Sequence, residues 1–243
     1  MATEEERKPF IEQAKKDWEH NLLMRAREMC SGARAVFVNF CTDENGCYLG
    51  NTASAGGTKA HMHATFNRIW KQMADEGRIT QEEYVNTNFP QHYRKVEEYK
   101  APLEDPSSEV YKAGLRLEQI ETKITPCPFA ASYKKGNFKS GREFADTYIN
   151  TLKSWSSGVF LTGLSDNRSP EEKQKLVDEF YGRYADEIAE KPEDHGMDFV
   201  HAYIVIRKEW FRLLKSFVTP NSAHFCHHIV LVLASFLVDC IQP

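Results

Sequence analysis

The stretch Ala35-Val36-Phe37-Val38-Asn39-Phe40 follows directly on a helical row that breaks at Ser31-Gly32, which restricts the chain to folds that alternate helix and strand. The row is Phe10, Ala14, Trp18, Leu22, Ala26 and Met29, spaced three or four apart, and Gly32 can take the left-handed cap. An almost wholly apolar run of this length, entered from a helix, predicts a strand buried on both faces, as in a parallel sheet.

Further along, Met62, Phe66, Ile69, Trp70 and Met73 predict a second helix ending at Gly77, and Thr80-Gln81-Glu82-Glu83 is a capping box that opens a third. The segment from Thr42 to Gly57 reads as a long loop, and Asn86 to Pro106 as irregular or short-helical. Gly114 to Ile120 begins to alternate and predicts a strand with one wetter face. Pro126 and Pro128 close it, and Ser132 to Gly141 reads as a surface connection. Phe144, Tyr148, Leu152 and Trp155 form another helical row. Ser169-Pro170-Glu171-Glu172 marks a helix start, with an N-cap serine and proline at the first helical position. Phe199 to Ile206, β-branched and aromatic, predicts the last strand. Three strands, with helices between them, argue for an α/β class with an inserted helical cap.

Several functions are disfavoured on composition and motif. With 31 basic and 35 acidic residues the net charge is −4, so no positive field recruits nucleic acid. The ten-residue apolar run Ile229 to Val238 is short of the roughly 20 residues that span a bilayer. Six cysteines without C-x-x-C pairing, behind a polar N-terminus, fit reduced thiols in a cytoplasmic protein. There is no G-x-G-x-x-G, no G-x-x-x-x-G-K-[ST] and no G-x-S-x-G, so neither a nucleotide cradle nor a hydrolase serine elbow is written here.

Histidine patterns are little more productive. His61 and His63 are two apart on a predicted helix and point away from each other, while His224, Cys226, His227 and His228 have no second half-site at zinc spacing, so no metal is assigned. His201, within a strand, reads as a buried neutral imidazole before it reads as a base. Trp155 can serve as core or as a wall on which a ligand stacks.

Ordered blocks of residues then carry a resemblance. Asp17-Trp18-Glu19, Leu22 to Met29 and Gly32 to Val36 resemble the D-W-x-x-F-L-x-x-R-A-x-E-L-x-P-G-G-x-L-V segment of SABATH-type carboxyl methyltransferases. Ile69-Trp70, Gly77-Arg78-Ile79 and Glu82-Glu83, then Asn88-Phe89-Pro90 and Glu97-Glu98, are similar to that family's M-x-x-E-G-x-I-x-x-E-E and N-I-P-Y-Y-x-P-x-x-E-E blocks. Gly114-Leu115 with Leu117-Glu118 stands where the family has a G-x-F-x-I-x-x-L-E strand, and the likeness runs over about residues 10 to 208.

The resemblance implies a partial Rossmann-like methyltransferase fold, the last three strands of a seven-stranded sheet with a helical cap. The divisions are 1–50 for the core remnant, 51–110 for the cap, 111–208 for the closing strands and cap helices, and 209–243 for a divergent tail. It implies methyl transfer from S-adenosylmethionine to the carboxylate or ring nitrogen of a small apolar molecule. Trp155 is then expected to give flat area against the substrate, Phe160 to shape the entrance, and Tyr93 to donate to a carboxylate oxygen. Departures follow as well. The family's cofactor-gripping glycine loop has no counterpart, so the chain is expected to be truncated and inactive alone, with the edge of the 35–40 strand left open. Its D-x-F-N metal motif reads Val85-Asn86-Thr87-Asn88. The alternative is a non-catalytic module that pairs through that edge with a full-length methyltransferase or with itself, since many relatives are homodimers.

Overall fold

A computed structural model of the chain describes residues 4–48, 62–89 and 91–209, and the backbone of 229–233. In chain order its elements are α1 (Glu4–Glu28), β1 (Arg34–Phe40), α2 (Met62–Asp75), α3 (Gln81–Asn86), α4 (Val96–Glu104), α5 (Glu109–Lys112) and β2 (Leu115–Thr125). Then come α6 (Pro128–Lys134), α7 (Gly141–Gly163), α8 (Pro170–Glu190), a 3-10 turn (Pro192–Asp194), β3 (Phe199–Lys208) and β4 (Ile229–Leu233). The described residues divide into two compact units, one drawn from Met1–Gly46, Gln91–Lys123 and Val200–Asp239 and the other from Cys47–Pro90 and Ile124–Phe199.

The first unit holds the sheet, in the order β2-β3-β1-β4. β2, β3 and β1 form a small antiparallel sheet, with Phe37 opposite Ile204 and Arg34 opposite Arg207. Alternation decides what each face does: Ala35 and Phe37 of β1, and Val200, Ala202, Ile204 and Ile206 of β3, are buried with Trp18, Leu22 and Ala26 of α1. Val36, Val38 and Phe40 are only half-buried, so the expectation of a strand covered on both faces is corrected. The reason is the pairing with β3, which is antiparallel, an arrangement that tolerates one wetter face. The α1 row is likewise shorter than its spacing promised, because burial begins at Trp18 and Phe10 remains 49% exposed.

Trp18 is the pin of this unit. Its indole N–H donates to the Tyr99 carbonyl at 3.1 Å, and the Tyr99 hydroxyl donates to the Phe40 carbonyl at 2.8 Å. Both rings stand edge-on to the tryptophan or are met edge-on by it, Trp18 to Phe37 at 5.3 Å and Trp18 to Tyr99 at 5.2 Å. On the sheet, the opposed arginines Arg34 and Arg207 share Glu118 of β2, at 2.6 Å and 3.3 Å, which offsets their mutual repulsion.

The open edge expected at β1 is also corrected. β4 runs parallel to β1, with Arg34 against Ile229 and Val38 against Leu233, and takes up the hydrogen-bonding groups on that side. The remainder of the apolar run, and the His224 to His228 cluster, lie outside the described residues.

The second unit is helical. Phe66, Ile69, Trp70 and Met73 of α2, Phe144, Tyr148, Leu152 and Phe160 of α7, and Phe180, Tyr184 and Ile188 of α8 make one core. Two of its helix starts are those the sequence predicts: Thr80 and Glu83 exchange hydrogen bonds at 3.1 and 2.8 Å, and Ser169 and Glu172 do so at 3.2 and 2.8 Å. One surface connection is corrected, since α6 already occupies Pro128–Lys134. Cys127 is its N-cap and Pro128 its first residue, so this proline opens a helix instead of closing a strand. α7 approaches the α3 end so closely at Gly163 that a Cβ there would lie 2.1 Å from Thr87 Oγ1.

Candidate functional site

In the helical unit the buried rings interlock. Phe160, 1% exposed, sits 4.2 Å from Phe180 and 5.0 Å from Trp70 between centroids, and the Trp70 indole N–H donates to Thr87 Oγ1 at 2.9 Å. Phe160 is therefore core, and the structure gives its ring no place at an entrance. Trp155, five residues earlier on α7, is only half-buried. It meets Phe66 and Phe89, each at 6.2 Å, and Phe89 in turn stacks on His63 at 5.7 Å, which is 6.3 Å from Tyr48. Tyr48, His63, Phe89 and Trp155 are all half-buried, so they form an aromatic margin to a sealed core.

That margin is the arrangement most able to hold a flat apolar ligand, because rings already fixed by packing lose little freedom when a further ring or chain is laid against them. It contains residues that sequence reading passed over. Tyr48 falls in a predicted loop, and His63 invites attention as a metal ligand; only the contact with Phe89 shows its use as a ring. Among the described residues, no three His, Cys, Asp or Glu are grouped to hold a metal ion.

Tyr93 belongs to the sheet unit. Its ring meets Phe40 edge-on at 6.0 Å, Phe40 stacks on His201 at 5.1 Å, and the Tyr93 hydroxyl donates to Gln91 Oε1 at 2.6 Å. Burial lowers the His201 pKa, so the imidazole is neutral at ordinary pH. Thus Trp155 and Phe160 share one unit through Phe66 and Phe89, and Tyr93 is part of another aromatic group altogether.

Electrostatics around the aromatic margin are structural. Glu83, 2% exposed, accepts from Arg168 Nε at 2.6 Å and Nη2 at 2.8 Å, from the Ser165 N–H at 3.0 Å and from the Thr80 N–H at 2.8 Å. The Arg168 guanidinium foremost, then these backbone donors, overcome burial and hold its carboxyl at about 2. Burial pushes the Tyr148, Tyr181 and Tyr184 phenols up, so they stay neutral. Glu83 and the three phenols are thus held away from neutrality, where a proton carrier would sit.

No curated protein matches the chain. A family model does, the SAM dependent carboxyl methyltransferase model, and it covers residues 2–209, from α1 through the end of β3. That span takes in the sheet of β1, β2 and β3 and the helices that carry the aromatic margin, and on it the chain belongs to the SAM-dependent carboxyl methyltransferase family, the SABATH family.

Proposed function

We propose that this chain forms the acceptor side of a methyltransferase acting on a small, largely apolar carboxylic acid. The observation that carries the reading is the aromatic margin of Tyr48, His63, Phe89 and Trp155, which lies wholly inside the family match and is backed by a buried core. A carboxylate is nucleophilic as it stands, so the protein's task is to align it and exclude water, and no general base is required. Trp155 gives the acceptor flat area. Phe160 acts beneath it by fixing Phe66 and Phe89, and Tyr93 is proposed, in its own unit, as a donor to a carboxylate oxygen.

The strand order β2-β3-β1 fits the closing part of a Rossmann-like sheet, with α2 and α3 as the cap expected over 51–110. The four cysteines among the described residues, Cys30, Cys41, Cys47 and Cys127, are free thiols, which accords with a cytoplasmic setting, and no described helix is long and apolar enough to cross a membrane.

The family implies S-adenosylmethionine, and the turn described after β1 does not fit it. Such a cofactor wants open backbone donors and a free carboxylate where a strand runs into a loop. After β1 the described turn is closed on itself: Asp43 Oδ1 accepts from the Asn45 N–H at 2.9 Å, and the Gly46 N–H donates to the Asp43 carbonyl at 3.0 Å. Calorimetric titration of S-adenosylmethionine into the chain is expected to give no saturable heat, and micromolar binding overturns that part of the reading.

For the acceptor side, benzoate is the probe. Trp155→Ala is expected to weaken benzoate binding at least tenfold in calorimetry, while the melting temperature falls by only a few degrees. Unchanged affinity removes Trp155 from the site.

A further inference from the structure

Lys208 ends β3 in the sheet unit and is 9% exposed, an unusual position for an ammonium. Its backbone is locked on both sides, its N–H donating to the Ala33 carbonyl at 2.9 Å and its carbonyl accepting from the Gly32 N–H at 2.8 Å. The side chain reaches two helix ends: Nζ donates to the Ala26 carbonyl, in the last turn of α1, at 3.1 Å, and to the Ala113 carbonyl that caps α5. Helix C-termini carry partial negative charge, which accounts for the tolerance of the ammonium here. Among the described residues no carboxylate pairs with it, and burial lowers its pKa.

An ammonium has three N–H donors, and two are engaged. Lys208 also lines a groove of about 480 Å³, together with Leu23, Ala26, Arg27, Glu109, Lys112 and Ala113. Arg27 is exposed, and its polar contact among the described residues is the Met24 sulfur at 3.9 Å, so its guanidinium is without a carboxylate. Lys112 is bound to Glu109 at 2.8 Å. Three cations against one carboxylate leave the lining with two positive charges, over a floor of Leu23, Ala26 and Ala113.

We propose that this groove binds a small organic carboxylate with a short apolar tail, the carboxylate between the Lys208 ammonium and the Arg27 guanidinium, the tail on Leu23, Ala26 and Ala113. The volume is in the range of small-molecule sites, and a few convergent polar groups over apolar walls are what such sites use. A carboxylate meets the geometry better than a bare point anion because Arg27 offers a planar fork. The site stands apart from the acceptor reading, since it involves none of the aromatic margin.

Hexanoate is the probe, with hexanol and inorganic phosphate beside it, titrated calorimetrically into the full chain and its variants. A saturable hexanoate site that depends on Arg27 is expected, with no hexanol binding there and phosphate at least tenfold weaker. Arg27→Gln, on an exposed residue, is expected to weaken hexanoate at least tenfold without shifting the melting temperature, and Arg27→Lys, which restores the charge without the fork, to recover only part of it. The Arg27-dependent hexanoate site is expected to survive intact in Trp155→Ala, which separates it from the acceptor margin. Absence of saturable hexanoate binding overturns the proposal, as does equal affinity in Arg27→Gln. Phosphate binding as tightly as hexanoate overturns the organic tail.

Discussion

The two units reach stability by different means. In the sheet unit a few polar atoms deep in the packing bridge distant parts of the chain: the Trp18 indole to the Tyr99 carbonyl, the Tyr99 hydroxyl to the Phe40 carbonyl, and Lys208 to two helix ends. The helical unit relies on interlocked rings, tied at its margin by arginine and carboxylate pairs, Arg168 with Glu83, Arg78 with Glu179, Arg68 with Glu187 and Arg183 with Glu76. Three of these four pairs are largely solvated and worth little individually. Glu83 is the exception, because its carboxylate is buried.

The difference is most sharply tested where it is largest. Arg168→Met leaves the Glu83 carboxylate buried without its cation, and loss of about 3–5 kcal/mol is expected in urea denaturation followed by circular dichroism. Loss under 1 kcal/mol would put the pair on the same footing as its exposed neighbours.

Acid probes the same carboxylate with no mutation. Its folded value of about 2 lies below its ordinary 4.5, so its contribution is complete above about pH 5 and fades as pH falls toward 2. A shift of that size corresponds to about 3 kcal/mol. Denaturation midpoints taken between pH 6 and 2.5 are expected to fall for the wild type and to change much less for Glu83→Gln. Parallel curves for the two would assign acid sensitivity elsewhere.

The smallest expected effect belongs to the sheet unit. Trp18→Phe keeps a ring but removes the indole donor, leaving the Tyr99 carbonyl without that partner, at a cost of about 1–3 kcal/mol in the same assay. An unchanged midpoint would show that ring packing with Phe37 holds this unit too, and the contrast would dissolve.

Legibility from sequence follows the same division. Helix starts in the second unit depend on side chains three residues apart, so Thr80 with Glu83 and Ser169 with Glu172 are readable locally. Glu83's second duty is not, because Arg168 is 85 positions away and nothing local selects it. The three strands were likewise visible as patterns at Ala35 to Phe40, Gly114 to Ile120 and Phe199 to Ile206, whereas their order and the seating of β4 are tertiary facts. At Pro128, one residue type carries two meanings, strand breaker and first helical residue, and Cys127 as an N-cap is a weak signal for the second. In the candidate site Trp155 was legible as an aromatic on a helical row. Burial of Phe160 and recruitment of His63 by Phe89 depend on packing that spacing alone does not encode.

The seating of β4 has a consequence for assembly. With β1 flanked by β3 and β4, the outer rims of this sheet are β2 and β4. β2 carries Glu118, Glu121 and Lys123, and charge of this kind discourages an incoming strand. Among the described strands, a second polypeptide that extends this sheet at its β4 rim would dock on backbone contributed by residues 229–233, downstream of everything the family match covers.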